Sequence, residues 1–304
     1  MGAAMLLAMV LTPNLARACA CGCGVFEVGT ASMLPKGPGG MVYTEFDYQS
    51  QSINWSGSSR GPKEDNGDNL IRTYFVTTGF QYMFNRSWGV QVEIPYDYRR
   101  FTTIGGPTGG DTVTNNWGTL GDIRNEGIYT GFQPDLSTGV TFGLKLPTGS
   151  HTHNDAWGDI DRDTQIGTGS TDILLGGFHR GHITRDFTWF ANTQLDIPVL
   201  IQGQYRPGFE IDTAVGIYYK GWMVGRVKIT PLAQVIVSER MKDTGVNANT
   251  DNSGYQRVLL SPGIEFDMHP WSVYADVELP VYEHTTGNQL IAPELVKLVV
   301  SYHF

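Results

Sequence analysis

The chain has 304 residues, of which only 17% are charged, and it contains 38 Gly, 14 Tyr, 14 Phe and 7 Trp. This length allows one large all-β domain or two ordinary domains. The formal net charge of -9 argues against nucleic acid as a partner, because phosphate binding needs a basic surface that this composition lacks.

The N-terminus carries the features of an export signal. An apolar run from Ala3 to Leu11 precedes Ala16-Arg17-Ala18, a small-x-small cleavage site. We therefore expect a signal peptide over residues 1–18, a Cys- and Gly-rich periplasmic segment over 19–40, and the folded domain over 41–304. No downstream apolar stretch is long enough to cross a bilayer as a helix. Membrane insertion would thus require a closed barrel, which satisfies every backbone polar group internally.

From residue 41 onward, apolar residues recur with period two, which is typical of strands with one apolar face. In the clearest segment, Trp88, Val90 and Val92 share one face, while Gln91 and Glu93 share the other. The pattern predicts twelve antiparallel strands, near 41–50, 72–84, 88–101, 119–133, 136–148, 169–180, 185–197, 206–220, 223–238, 255–267, 271–282 and 293–304.

The connections between these strands alternate in length, with long loops at 51–71, 102–118, 149–168 and 239–254. Short turns on one side and longer loops on the other are typical of bacterial outer-membrane barrels. A soluble β-sandwich or jelly roll also has alternating strands. Predicted strands of ten to fourteen residues, however, exceed the usual globular length of roughly five or six. We therefore predict an all-β antiparallel transmembrane barrel in the outer membrane of a Gram-negative-type bacterium, with both termini periplasmic.

The last strand places Val300, Tyr302 and the C-terminal Phe304 on one face. This alternation looks like the insertion signal that the barrel-assembly machinery recognises, so that machinery and outer-membrane lipid are expected partners. Aromatic residues at predicted strand ends suit the interfacial girdles of such barrels; these are Tyr43, Trp88, Phe101, Trp189, Trp222 and Trp271.

Several short motifs resemble a known family. They are Leu144-Lys-Leu-Pro-Thr-Gly149, Gly167-Thr-Gly-Ser-Thr-Asp-Ile173, Leu279-Pro-Val-Tyr282, Gly287-Asn-Gln-Leu290 and Ser301-Tyr-His-Phe304. Through them the chain is similar to the outer-membrane transporter family of the meta-pathway of phenol degradation. The resemblance covers most of the mature chain and implies an outer-membrane channel, but it does not indicate the cargo. The N-terminal cysteines and the His-Thr-His loop lie outside the family pattern.

Cys19, Cys21 and Cys23 are the only cysteines, and they alternate at the predicted mature N-terminus. Three thiolates at this spacing could bind a soft ion such as Cu(I) or Zn(II). Oxidation to disulfides in the periplasm and lipid attachment at Cys19 are the alternatives. No other cofactor is indicated.

One predicted loop carries His151 and His153, followed by Asp159, Asp161 and Asp163. The two histidines are a speculative part of a metal site, and the carboxylates could hold a hard cation such as Ca²⁺. They lack the EF-hand pattern, so we expect a solvated polar loop, with a cation site as the alternative.

Charged residues on the inward face could pair across a narrow lumen or set the ion selectivity of an open pore. They are Glu93, Asp97, Arg99, Asp122, Arg124, Glu126, Lys145, Asp196, Glu210, Asp212, Arg226, Lys228, Arg257, Glu265, Asp267, Asp276 and Glu278.

These observations favour a passive channel for small solutes. A barrel that anchors or sheathes a periplasmic metal or electron-transfer partner, with the three cysteines as its soft-metal site, is the second hypothesis. An enzyme is not expected, because His179 and His182 flank a predicted periplasmic turn and no convincing nucleophile lies beside His151, His153 or His284.

The alternating loop lengths give a topological prediction. Cysteines introduced at Ser58, Thr112 and Asn249 should react with a membrane-impermeant thiol label on whole cells, because the long loops face outward. A cysteine at Ser87, in a short turn, should stay unlabelled. Labelling of the Ser87 variant on intact cells would reverse the predicted orientation.

Overall fold

The structure is a computed structural model that describes residues 34–35, 37–105, 110–155 and 158–304. The wall of the fold consists of twelve antiparallel strands, β1 to β12 in chain order. Their bounds are Gly39–Gln51, Asp68–Met83, Trp88–Gly105, Asp111–Leu120 with Ile123–Tyr129 (together β4), Thr138–Leu146, Ser170–His182, Phe187–Ile201, Glu210–Tyr219, Val227–Arg240, Tyr255–Met268, Trp271–Ile291 and Leu295–His303. Within this described part, no helix has the length and apolarity needed to cross a membrane.

Each strand pairs with its neighbour in the chain, and β1 also pairs with β12 from Met41↔His303 to Gln49↔Leu295. The sheet therefore closes on itself, and the wall has no free edge. The predicted fold, an all-β barrel of twelve antiparallel strands, is confirmed.

Five connections between strands lie at the same end as Gly39 and Phe304, the turn end of the barrel, and they are residues 84–87, 130–137, 183–186, 220–226 and 269–270. The long connections emerge at the opposite end, the loop end. The predicted loop over 102–118 is wrong in part, because β3 continues to Gly105 and β4 begins at Asp111 to form a protruding hairpin. Likewise, β11 extends through 283–291, where a loop was expected.

Alternation along each strand separates an apolar outer face from a mixed inner face. The outer face carries side chains such as Val215 (50% exposed), Ile217 (45%) and Val237 (46%). At the turn end it carries a belt of contacting aromatic rings, including Trp88 against Tyr129 (4.7 Å between centroids). Trp222 and Trp271 are exposed there as expected. Tyr43 and Phe101, also expected in a girdle, instead point inward and are buried.

Glycines make room for these inward rings. Tyr43, Phe178 and Phe190 each lie directly opposite a glycine on the next strand, in the pairs Tyr43↔Gly79, Phe178↔Gly139 and Phe190↔Gly216. A Cβ on any of these glycines would lie 2.0–2.5 Å from the facing ring. In the turn-end half of the lumen, these three rings therefore lie against glycine backbone.

The inward and outward faces can be tested with paired arginine substitutions. Val215→Arg and Val92→Arg place a cation on the outer face, where it costs roughly 2–4 kcal/mol near the bilayer midplane. Both variants should fail to fold into the heat-modifiable form in lipid. Gln91→Arg should fold, because Gln91 faces inward and donates to Glu93. Equal folding of all three proteins would contradict the assignment of the faces.

Candidate functional site

The loop that joins β5 to β6, residues 147–169, folds into the loop end of the barrel and is called the inner loop below. Ile160 and Ile166 are buried in a cluster with Ile71, Phe101 and Trp117 from the wall. The ring of His153 stacks on Trp117 at 4.7 Å. The loop therefore packs against the inside of the wall, although its polar sequence predicted a solvated loop.

Arg99 of β3 holds the tip of the inner loop. Its Nη1 donates to the carbonyl oxygens of Thr164 (2.6 Å) and Gln165 (3.1 Å), and its Nε donates to Thr73 Oγ1 (3.0 Å). Arg99 is only 2% exposed. Because a guanidinium has five donors in a rigid fork, it can join loop and wall at once.

Asp122 binds both ends of the inner loop. Its Oδ1 accepts from Gly149 N (2.9 Å), and its Oδ2 accepts from Thr168 N (2.8 Å) and Thr168 Oγ1 (2.6 Å). Asp122 lies at the break between the two segments of β4. A charged acceptor with three donors is a strong contact, and it fixes where the loop leaves and rejoins the wall.

The tip of the inner loop carries a buried carboxyl, Asp163, and Asp163 Oδ2 has no hydrogen-bond partner. Burial, and next the charge of Asp243, raise the pKa of Asp163 to about 7, although Arg240 lowers it. Arg162, beside it, donates to the carbonyl oxygens of His151 (2.7 Å) and Thr168 (2.9 Å). Burial lowers the pKa of the Arg162 guanidinium.

The turn end is closed by a different kind of contact. Leu34, from the predicted periplasmic segment, is buried in the lumen against Met83, Ile128 and Phe178. Arg180 Nη2 donates to Pro35 O (3.1 Å). An apolar layer thus narrows the lumen at this end. The chain enters the wall at Gly39, two residues before the predicted start of the domain.

Between the two closures lies a cavity of about 260 Å³ along the β1 to β8 side of the barrel. Leu34 and Pro35 line it at the turn end, and Arg162 and Tyr205 line it at the loop end. Its charged lining comprises ten carboxylates and five cations, namely Glu45, Asp47, Glu93, Asp97, Asp122, Glu126, Asp163, Asp172, Asp196 and Glu210 with Arg99, Arg124, Lys145, Arg162 and Arg240.

Two cations on the cavity wall are held by carboxylates. Lys145 Nζ lies 2.6 Å from Asp172 Oδ2 and 2.8 Å from Asp196 Oδ2. Arg124 lies between Asp196 (3.6 Å) and Glu93 (3.7 Å). These contacts link β3 through β7 across the inner face, as expected for charges in a narrow lumen.

A second set of charges lies where the barrel closes. Lys297 of β12 lies 2.7 Å from Glu45 and 3.5 Å from Asp47 of β1. Beside it, Asp276 accepts from Tyr274 Oη at 2.6 Å. Glu278 is 1% exposed, and neither of its carboxylate oxygens has a hydrogen-bond partner.

Further round the wall, Arg257 pairs with Glu283 at 2.8 Å, and Tyr255 Oη donates to Glu210 at 2.5 Å. Two of the predicted lumen charges lie outside the enclosed part. Arg226 is exposed in the turn before β9, and Lys228 is exposed at the first residues of that strand. The remaining predicted lumen charges are buried or half-buried and belong to β3, β4, β5, β7, β8, β10 and β11.

The predicted metal ligands are not brought together in the part of the chain that the structure describes. No group of three or more His, Cys, Asp or Glu side chains there could hold a metal ion. Asp161 instead caps a short 3₁₀ turn by accepting from Arg162 N (3.0 Å). Cys19, Cys21 and Cys23 lie outside the described residues.

The predicted insertion residues lie at the turn end of the seam between β12 and β1. Phe304 exchanges backbone hydrogen bonds with Gly40, and its exposed ring stacks 6.5 Å from Tyr302 and 6.4 Å from Tyr82.

The fold is similar to solved outer-membrane barrels. An outer-membrane channel from Pseudomonas putida F1 aligns over 91% of this chain and 100% of its own, with 9% identity and a TM-score of 0.66. The β domain of a Bordetella autotransporter, BrkA, aligns over 88% of this chain and 100% of its own, with 12% identity and a TM-score of 0.54. No protein-family model and no curated protein matches the sequence. These likenesses identify the fold as that of an outer-membrane β-barrel.

The three hydrogen bonds that Asp122 accepts predict the effect of removing its side chain. Asp122→Ala should free both ends of the inner loop, because three charge-assisted hydrogen bonds of roughly 1.5–3 kcal/mol each are lost. Limited proteolysis of the folded protein should then cut within 149–168 much faster than in the wild type. Asp186→Ala, which removes an exposed turn-end partner of Lys220, is the control. Equal rates of proteolysis in the two variants would show that the hydrogen bonds of Asp122 do not hold the loop.

Proposed function

We propose that this protein is an outer-membrane channel for the passive transport of small solutes, with the inner loop as its narrowest part. The observation that carries the proposal is the cavity, lined by charged side chains, that lies between the inner loop and Leu34. A barrel built only as a membrane anchor needs no such space, since its interior could be filled by side chains. The similar fold of a Pseudomonas putida outer-membrane channel supports the same function.

The lining favours small polar or cationic solutes. The cavity of about 260 Å³ is bordered by twice as many carboxylates as cations. Lys145 and Arg124 are already paired with carboxylates. The remaining excess of negative charge in a narrow, poorly hydrated lumen should attract cations and repel anions.

We further propose that the family is that of the outer-membrane transporters of the meta-pathway of phenol degradation, on the motifs given above. Two of these motifs have a shared place in the fold. Pro147–Gly149 and 167–170 form the two ends of the inner loop, and Asp122 binds both. The motifs therefore specify how the loop is attached, and the cargo is left to the side chains between them.

The proposed orientation places both termini and the short turns in the periplasm and the inner loop on the cell surface. Solutes would then meet the polar closure first and the apolar Leu34 layer second. The anchor function rests on Cys19, Cys21 and Cys23 alone, and no described residue supports it.

Conductance in planar bilayers tests the channel directly. The wild type should show small single-channel currents with a reversal potential that favours cations. Arg99→Gln should raise the conductance several-fold, because the inner loop loses its main contact with β3. Arg86→Gln is the matched control, since Arg86 is exposed at the turn end and donates only to Pro134 O in the described contacts. Absence of current from the wild type and from Arg99→Gln would refute the channel function.

The carboxyl of Asp163 predicts a pH dependence. Its pKa is about 7 with the loop docked, against 3.8 for an ordinary Asp, so the docked loop retains a proton that a released loop loses. Docking is therefore most stable below pH 4 and weakens as the pH rises to about 7. Conductance should rise over this range and then level off, whereas Asp163→Asn should abolish the dependence. An unchanged pH profile in that variant would exclude Asp163 as the titrating group.

A further inference from the structure

Two arginines face each other on the outer wall of the barrel. The register pairs Arg72 of β2 directly with Arg100 of β3. Arg72 is two positions from the outward-facing Tyr74, and Arg100 is two positions from the outward-facing Tyr98, so both arginine side chains stand on the membrane side of the wall. Arg100 is exposed and Arg72 is half-buried.

Like charges directly opposite each other destabilise a sheet. A comparable inward pair, Arg124 and Lys145, is neutralised by Asp196, which lies 3.6 and 2.8 Å from them. Within the described part of the chain, no ion pair involves Arg72 or Arg100, and the buried Nε of Arg72 has no hydrogen-bond partner. An anion from outside the chain would therefore offset the repulsion between Arg72 and Arg100 and accept a hydrogen bond from Arg72 Nε.

The pair lies in a row of polar side chains across four strands. Ser50 is opposite Arg72, and Asn116 is opposite Arg100. On the other side of Ser50, the exposed Glu294 directly precedes Leu295, the partner of Gln49. Glu294 is therefore about two strands from Arg72, roughly 10 Å at the usual strand spacing. The centre of the row thus offers two guanidinium groups and two smaller polar groups.

The next row of outward side chains, one step closer to the bilayer midplane, is aromatic. Tyr74 lies between Tyr48 (5.2 Å between centroids) and Tyr98 (6.3 Å). Below it follow apolar side chains, with Val76 opposite Tyr96. The order apolar, tyrosine, arginine matches the passage from acyl chains through the interface to the headgroups of a bilayer. The arginines therefore lie at headgroup level.

We propose that Arg72 and Arg100, flanked by Ser50 and Asn116, bind the phosphate group of a lipid headgroup in the leaflet at the loop end. Guanidinium groups bind phosphate in a bidentate manner, and two of them can share one phosphate. In the predicted orientation this leaflet faces the outside of the cell, so the ligand class is a phosphorylated glycolipid. The tyrosine row would contact the sugar and the upper acyl chain. This proposal depends on the barrel fold and on the proposed orientation, and not on transport.

The test uses full-length protein folded in phosphatidylcholine vesicles that contain either diphosphorylated lipid A or the same lipid without phosphates. The phosphorylated lipid should raise the temperature at which the folded band is lost on gels, and lipid A, measured by its glucosamine, should remain bound after extraction into detergent. Arg72→Gln and Arg100→Gln should each weaken binding roughly tenfold, the loss expected for one charge-assisted contact. Arg100→Lys should retain part of the affinity, because lysine keeps the positive charge but lacks the paired donors of a guanidinium.

Arg86→Gln, which removes an exposed turn-end arginine, is the matched control and should bind like the wild type. Arg100 is exposed, so Arg100→Gln tests the site even if Arg72→Gln fails to fold. Equal stabilisation by the two lipids would overturn the proposal. Inorganic phosphate that stabilises the protein as well as the phosphorylated lipid does would also overturn it, since the site would then bind a free anion.

Discussion

The backbone hydrogen-bond ladder between the first and last strands is the interaction on which the rest of the structure depends. In hydrocarbon an open sheet edge leaves N–H and C=O groups without partners, at a cost of several kcal/mol each. Pairing of Gly39–Gln51 with Leu295–His303 removes the edge. Inside the seam, Lys297 binds Glu45 and Asp47 and so joins the two strands a second time. A closed wall then requires every strand to present one face to lipid and the other to the lumen.

The lumen of a twelve-stranded barrel is too narrow for each inward-facing charge to keep a full hydration shell. Burial of an unpaired charge is expensive, which explains why Lys145 and Arg124 lie among carboxylates. The same constraint explains the inner loop. Its carbonyl groups would lose water in the lumen, and the buried guanidinium of Arg99 replaces those hydrogen bonds. In the proposed channel, transport and stability would therefore depend on the same contacts.

Period two was enough to predict the number of strands, because each strand must alternate between lipid and lumen. It also predicted which charges point inward, such as Glu93, Asp97 and Arg99. It failed for 102–118, where the hairpin continues past the apolar band and neither face needs apolar residues. The inner loop was missed for another reason. Its polar residues resemble a solvated loop, and the partners of Arg99 lie 65 and 66 residues away along the chain. The buried Ile160, which lies between Asp159 and Asp161, and the buried Ile166 were the available signal.

The two closures of the lumen differ in what can loosen them. At the turn end, Leu34 packs among Met83, Ile128 and Phe178, an apolar contact with no titrating member. At the loop end, the inner loop is held by hydrogen bonds to charged side chains, and Asp163 is buried there without a partner for Oδ2. Polar contacts can be exchanged for water one at a time, whereas an apolar layer must separate as a unit. In the proposed channel, the inner loop is therefore the contact that a change of pH would loosen, and the Leu34 layer is the one that pH would leave in place.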